Sequence, residues 1–258
     1  MRLFSRSTGA GPPLVILHGL FGSSNNWNGL AKQLGADFTI YVVDLRNHGR
    51  SPHDAVHTYE AMAGDVAEFL QQESLPSVFL LGHSMGGKVA MELALSDSSK
   101  VRRVIVVDIS PDESPLENEA ILRALLSLRL EEFSSRTDID HALQQSIPDD
   151  RVRAFLLTNI RRGEDGNYVW RMNLPALDSS REAVAAPLAG GRRFEGPALF
   201  LRAEHSAYVR DDDIPLIKRM FPRAEVRTIP GSGHWVHADA PAPFVSAVRS
   251  FLLSSTRE

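Results

Sequence analysis

Val78-Phe79-Leu80-Leu81-Gly82-His83-Ser84-Met85-Gly86-Gly87 sets an apolar run directly against the pattern Gly-x-Ser-x-Gly. Composition alone produces that pattern by chance in roughly one chain in ten of this length. Its placement gives it meaning. Residues 78–81 have the length and content of a strand buried on both faces, and residues 88–95 carry helical spacing. A serine in a tight strand-to-helix turn must take a strained backbone conformation, and its neighbours must be tiny for the chain to close. Gly82, Gly86 and Gly87 meet that demand. The turn lifts the Ser84 hydroxyl above the sheet, at the head of the next helix, which is where a nucleophile is expected. The plain alternative is a glycine-rich turn with an incidental serine. A phosphate loop is disfavoured because G-x-x-x-x-G-K-[ST] is missing.

Working outward, the same kind of apolar run recurs at residues 14–17, 39–43, 104–107, 198–201 and 226–229. Helical stretches such as 59–72 and 242–253 lie between or after them. Strand–helix alternation predicts an α/β fold with a mostly parallel central sheet flanked by helices. The alternation breaks between about Pro111 and Glu195. There, residues 116–130, 140–145 and 151–160 read as helices, the last with Phe155, Leu156 and Ile160 on one face, and residues 162–167 carry turn chemistry. The expected organisation is a core of residues 1–111 and 196–258, with a mostly helical cap insertion at 112–195.

Composition narrows the function. The 258 residues carry 28 Lys+Arg against 32 Asp+Glu, a formal charge of −4, with no polybasic run. Nucleic acid is therefore not an expected partner. With no cysteine, a thiol nucleophile, disulfides and Cys-based zinc sites are excluded. The apolar runs are strand-sized, too short to span a bilayer, so no membrane partner is expected and the reading is a soluble, cytoplasmic protein. No metal or organic cofactor is implied. Asp211-Asp212-Asp213 reads better as a cap on a helix start than as a cation site.

A serine hydroxyl needs a base to take its proton. Of nine histidines, His234 in Pro230-Gly231-Ser232-Gly233-His234-Trp235 follows the last strand and precedes the last helix, the place the base occupies when a nucleophile turn comes first in the chain. His237 is the local competitor, farther from the strand end. The acid is less conventional. The loop after the second-last strand, Leu201-Arg202-Ala203-Glu204-His205-Ser206-Ala207-Tyr208, has Ser206 where Asp is expected. Asp108 ends an earlier strand, where functional groups of such sheets gather. It is the preferred acid, with Glu204 and Asp211 as alternatives. Backbone N–H groups of Met85 and of Leu20, with Phe21 behind it, are the expected oxyanion donors, since Gly19 and Gly22 let that loop approach substrate.

Taken together, His18-Gly19-Leu20-Phe21-Gly22-Ser23, Asp44-Leu45-Arg46-Asn47-His48-Gly49-Arg50-Ser51-Pro52, Gly82-His83-Ser84-Met85-Gly86-Gly87-Lys88, Val107-Asp108-Ile109-Ser110-Pro111 and Gly233-His234-Trp235-Val236-His237-Ala238 resemble the YbfF-like bacterial esterases of the α/β-hydrolase superfamily, and also the mitochondrial abhydrolase domain-containing protein eleven. The likeness runs from about Pro13 to Leu253 and includes Tyr168-Val169-Trp170-Arg171-Met172-Asn173-Leu174 of the insertion. The resemblance implies a helical cap, inserted after the sixth strand, and activity on short esters or thioesters. It also implies the acid at Asp108, with Ser206 at the commoner acid position.

The expected substrate is a small ester or thioester with a short to medium acyl chain. Phe21, Phe155, Ile160, Trp170, Met172 and Tyr208 are the candidate pocket lining. The polar loop of Asp44, Arg46, Asn47 and His48 reads as a brace for His18 more than as a wall of the site. Ser84 excludes the Asp-nucleophile chemistries of this fold. A carbon–carbon bond hydrolase, a perhydrolase or a ligand-binding receptor with a retained triad are the competing readings, because fold and triad do not fix the reaction.

Overall fold

The computed structural model describes residues 1–115 and 119–254. Its strands are β1 (Ser5–Thr8), β2 (Pro13–Leu17), β3 (Thr39–Val43), β4 (Val78–His83), β5 (Val101–Val107), β6 (Ile160–Arg162), β7 (Tyr168–Trp170), β8 (Ala198–Ala203) and β9 (Ala224–Ile229). Seven of them form one sheet in the order β1-β3-β2-β4-β5-β8-β9. All neighbours pair in parallel except β1, which runs antiparallel to β3. The helices are α1 (Asn28–Leu34), α2 (Tyr59–Gln72), α3 (Met85–Ser96), α4 (Glu119–Ser127), α5 (Arg136–Leu143), α6 (Asp150–Leu157), α7 (Leu174–Ser179), α8 (Arg181–Ala185), α9 (Ile214–Met220), α10 (Val236–Asp239) and α11 (Pro241–Leu253).

The apolar runs are continuous because both faces of the sheet are covered. Val15, Leu17, Leu80, Val104 and Val106 face one apolar cluster with α2 and α3, through Val66, Phe69, Val89 and Leu93. Leu14, Ile16, Leu81, Ile105 and Val107 face the other, with Leu34 of α1 and Phe244 and Val248 of α11. At roughly 25 cal/mol per Å² of apolar surface, these two layers hold the sheet rigid. That rigidity fixes where the carboxyl ends of β4, β5 and β9 stand relative to one another.

The segment between β5 and β8 builds an apolar cluster of its own, from Leu122, Leu125, Ile139, Leu143, Leu156, Met172 and Leu177. It leaves the sheet after the fifth strand in chain order, not the sixth as expected, because among the described residues only β1 lies outside β3. Its helices are shorter than the sequence suggested: 119–127 and 150–157 in place of 116–130 and 151–160. Residues 116–118 lie outside the described part. The helix expected at 140–145 instead starts at Arg136, where Ser135 and Asp138 form a reciprocal capping box.

Ile160 is in a strand, not a helix. The Asn159 side chain turns away to Phe21 O (2.7 Å), and Ile160–Arg162 pairs antiparallel with Tyr168–Trp170. The turn chemistry of 162–167 closes this hairpin, with Gly166 at φ +84°. Among the described residues no helix is long and apolar enough to cross a membrane.

Candidate active site

Ser84 sits between β4 and α3 with φ 53° and ψ −121°, a conformation that costs a non-glycine residue of order 1–3 kcal/mol. The turn closes only because its flanks lack side chains. A Cβ on Gly82 would lie 2.0 Å from Gly86 O, and one on Gly86 would lie 2.5 Å from the carbonyls of Leu17 and His18. Ser84 N–H is held by Val107 O at 3.0 Å, tying the elbow to the end of the neighbouring strand.

Ser84 Oγ lies 3.0 Å from His234 Nε2, and His234 Nδ1 lies 2.8 Å from Asp108 Oδ2. Asp108 is fully buried, with φ 50°. Its carboxylate also accepts Ala203 N–H on Oδ1 (2.9 Å) and the Ser206 hydroxyl on Oδ2 (2.5 Å). β5 lies between β4 and β8 in the sheet, so a carboxylate at its end stands between the serine turn and the Ser206 loop. The side chain that replaces the commoner acid thus donates to the carboxylate next door. The two alternative acids do not face His234. Glu204 accepts Gly231 N–H at 2.7 Å, and Asp211 pairs with Arg202 at 2.5 Å. Asp213 accepts Arg210 N–H at 2.7 Å, in the helix-start role expected of this acidic run.

His234 is held from two sides. His83 Nε2 stands 2.8 Å from the carbonyl of His234, so Nε2 carries the proton and donates. Burial pushes the His83 imidazole well below its ordinary range, which keeps it neutral. The Tyr208 ring stacks on His234 with centroids 4.2 Å apart and planes 25° apart. His237, the competing base, lies parallel to Trp27 at 4.3 Å and hydrogen-bonds to neither Ser84 nor Asp108 among the described residues. Burial lowers it to about 4.

The amide of Met85 is the first of α3, where a helix supplies no acceptor. The amide of Phe21 is already committed to His48 Nε2 at 3.3 Å, which leaves Leu20 as the better-placed donor of its loop. That loop is braced from behind. His18 Nδ1–H donates to Gly19 O (2.8 Å) while Nε2 accepts Leu45 N–H (3.0 Å). Asp44 accepts Ser24 N–H and Arg50 N–H, and Arg46 pairs with buried Asp65. The Asp44–His48 loop therefore works as a scaffold for residues 18–24.

Two clefts meet at Ser84. One is a narrow pocket lined by Tyr59, Met85, Ile109, Leu122, Leu177 and Val184 among others. The other is a wider trough past His234, Trp235 and Phe155. Of the expected lining, Phe21 and Phe155 line the trough and Tyr208 lines both clefts. Ile160, Trp170 and Met172 do not line either. The hairpin turns Ile160 and Met172 into the insertion's own core, and Trp170 packs against it. Sequence reading missed Tyr59, Ile109, Leu177 and Val184, which lie on three helices and the loop after β5 and share no local signal.

The insertion is fastened to the core near the pocket. Tyr59 Oη donates to Val184 O (2.6 Å), and buried Lys88 Nζ donates to Ala185 O (3.3 Å) and Ala186 O (2.8 Å). Burial lowers the Lys88 amine to about 8.

Residues 12–241 match the family described as the alpha/beta hydrolase fold. The chain is 39% identical to the sn-1-specific diacylglycerol lipase ABHD11 of Danio rerio, over 95% of this chain and 79% of that one. It is 34% identical to the Esterase YbfF of Escherichia coli (strain K12), over 93% and 92%. A solved structure titled Marine microorganism esterase superposes with a TM-score of 0.95 at 42% identity, covering 96% of this chain and 98% of that one. With a family match over residues 12–241 and relatives of this likeness along nearly its whole length, the chain belongs to the α/β-hydrolase family.

Proposed function

We propose that the protein is a serine carboxylesterase that cleaves esters of short to medium acyl chains, thioesters included, through an acyl-enzyme. The observation that carries this reading is the unbroken relay from Ser84 through His234 to Asp108, set at the junction of two clefts. In this mechanism His234 Nε2 takes the Ser84 proton as Oγ attacks the ester carbonyl. Asp108 holds the Nδ1–H tautomer and stabilises the imidazolium that forms. The developing oxyanion is met by the amides of Met85 and Leu20; one such donor is worth about 3–4 kcal/mol. His234 then gives its proton to the leaving oxygen. Water, activated by the same imidazole, releases the acid.

Residues 112–195 serve as the cap over a core of 1–111 and 196–258. The Asn159 bond to Phe21 O and the Lys88 and Tyr59 bonds to residues 184–186 support that role, since they seat the insertion beside both clefts. The names of the relatives, esterase and lipase, support ester chemistry over a carbon–carbon bond hydrolase, a perhydrolase or a receptor. A chain without cysteine suits a reducing setting such as the cytoplasm.

The test is a p-nitrophenyl ester panel from acetyl to dodecanoyl, with acyl thioesters beside it, for wild type and Ser84→Ala. Wild type should turn over the acetyl to octanoyl members, and Ser84→Ala should lose at least about 10⁴-fold. No turnover of any ester by wild type would sink the esterase reading and favour a binding module.

A further inference from the structure

The two clefts at Ser84 can be told apart by chemistry, granted the esterase reading above. When the tetrahedral intermediate collapses, His234 must hand its proton to the leaving oxygen. His234 lines the trough and not the pocket. The leaving group therefore departs along the trough, and the acyl chain lies in the narrow pocket.

One wall of that pocket is α8, through Arg181, Val184 and Ala185. Helix α8 has five residues, too few to hold its own shape or place. What fixes it are the donors on its last carbonyls. Val184 O accepts the Tyr59 hydroxyl at 2.6 Å. Ala185 O accepts Lys88 Nζ–H at 3.3 Å and Ser114 N–H at 2.8 Å. Ala186 O accepts Lys88 Nζ–H at 2.8 Å. Leu188 N–H donates to Pro111 O at 2.9 Å, so the chain that leaves the core and the chain that returns to it are joined here. The wall is the neck of the insertion.

Lys88 is a buried charged group that the catalytic steps do not use. It stands one turn into α3, with its own N–H on Ser84 O at 3.2 Å. Burying an ammonium is costly unless its N–H groups find acceptors. Here the acceptors are two carbonyls of the pocket wall, and the Tyr59 ring lies 5.5 Å from Nζ. Burial lowers the amine to about 8, so it still carries its proton at neutrality, with Asp112 and Glu113 favouring the charge. The helix that presents Ser84 at its head thus grips the opposite wall of the acyl pocket one turn later. The wall cannot retreat from Ser84 unless these bonds break.

We propose that Lys88 and Tyr59 are positioning residues for the acyl pocket: by pinning residues 184–186 they keep it narrow, so that linear acyl chains are accepted and branched ones disfavoured. A wall free to move would yield to an extra methyl group. A pinned wall makes that group an overpacking, at about 1–3 kcal/mol.

The experiment compares kcat/KM for the p-nitrophenyl esters of pentanoic and 4-methylpentanoic acid. They differ by one methyl group, on a carbon too far from the carbonyl to change its reactivity. Wild type should favour the linear ester by at least about tenfold, the low end of what one methylene decides in an apolar pocket. Tyr59→Phe removes one oxygen and keeps the ring. Lys88→Met removes the donors and keeps most of the length, and is assayed well below its melting temperature. In these variants the preference should fall to about threefold or less. General damage to the fold would lower both rates together and leave the ratio where it was. A fall in the ratio in either variant supports the proposal. A wild-type ratio near one, or a ratio unchanged in both variants, overturns it.

A matched pair of alcohol esters, butyl and 3-methylbutyl butyrate, puts the branch in the trough instead. The ratio of that pair should not respond to either variant. If the variants relax the choice between alcohols and not between acyl groups, the assignment of the two clefts is overturned and the proposal with it. If wild type cleaves p-nitrophenyl pentanoate but shows no acyl preference, only the pinned wall falls. If it cleaves no ester at all, the esterase reading falls as well.

Discussion

Replacing Asp108 with asparagine changes one atom and tests the whole relay. The carboxylate accepts three bonds, from Ala203 N–H, the Ser206 hydroxyl and His234 Nδ1. Asparagine has one acceptor oxygen and one NH₂ donor in the same space. Ala203 N–H is backbone and can only donate, so the amide oxygen must take the Oδ1 position. The NH₂ group then faces His234 and Ser206. Ser206 can rotate its hydroxyl and accept. His234 Nδ1 can accept only by giving up its proton, which puts the proton on Nε2. An Nε2–H imidazole cannot take the Ser84 proton across the 3.0 Å contact. The expected result is a fall in kcat of about 10⁴-fold, or roughly 5 kcal/mol of barrier. The melting temperature should hold to within a few degrees, since the volume persists and all three contacts can be re-made, two of them with their direction reversed. The assay is p-nitrophenyl butyrate hydrolysis beside a circular-dichroism melt, with Glu204→Gln as the control. A folded Asp108→Asn enzyme within tenfold of wild type would refute the reasoning, most directly if Glu204→Gln were inactive.

Three further outcomes follow from the same geometry. Because Ser206 Oγ already touches the Asp108 carboxylate, Asp108→Asn/Ser206→Asp should regain at least about tenfold in kcat over Asp108→Asn alone; no gain would show that residue 206 cannot reach the imidazole productively. Lys88→Met leaves the carbonyls of Ala185 and Ala186 unpaired, at about 1–3 kcal/mol each, and should lower Tm by several degrees for a domain of this size; an unchanged melt would mean that water replaces the amine freely. His57 and His237 are both lowered to about 4 by burial, below the ordinary 6.5. Between those values the unfolded chain binds more protons than the folded one. Stability should thus be complete above about pH 6.5 and fall towards pH 4, by up to about 3 kcal/mol per histidine. Urea midpoints that stay level from pH 7.5 to 4.5 would contradict this.

Much of this was legible in the residues themselves. The apolar runs announced buried parallel strands, because a strand covered on both faces has no polar side. Gly82, Gly86 and Gly87 announced the elbow, because no larger residue fits the distances that Ser84 imposes. His234 followed from chain order and strand position. These are local constraints, carried by a few neighbouring residues.

The tertiary structure decided what depends on residues far apart in the chain. Asp108 and Ser206 are 98 positions apart and meet only because β5 and β8 lie side by side. The pocket lining could not be read, since Tyr59, Ile109, Leu177 and Val184 converge from separate elements, while Ile160 and Met172 turn into the insertion's core instead. Ile160 itself left its expected helix because Asn159 found a partner in Phe21, over a hundred residues away. The role of His237 shows the division most plainly. As a residue three places after His234 it was a rival base, and only the tertiary structure stacks its ring on Trp27 while His234 takes the bonds to Ser84 and Asp108. Local sequence determines backbone strain and strand burial, because those are short-range; which polar groups end up paired or unpaired is settled by the fold as a whole.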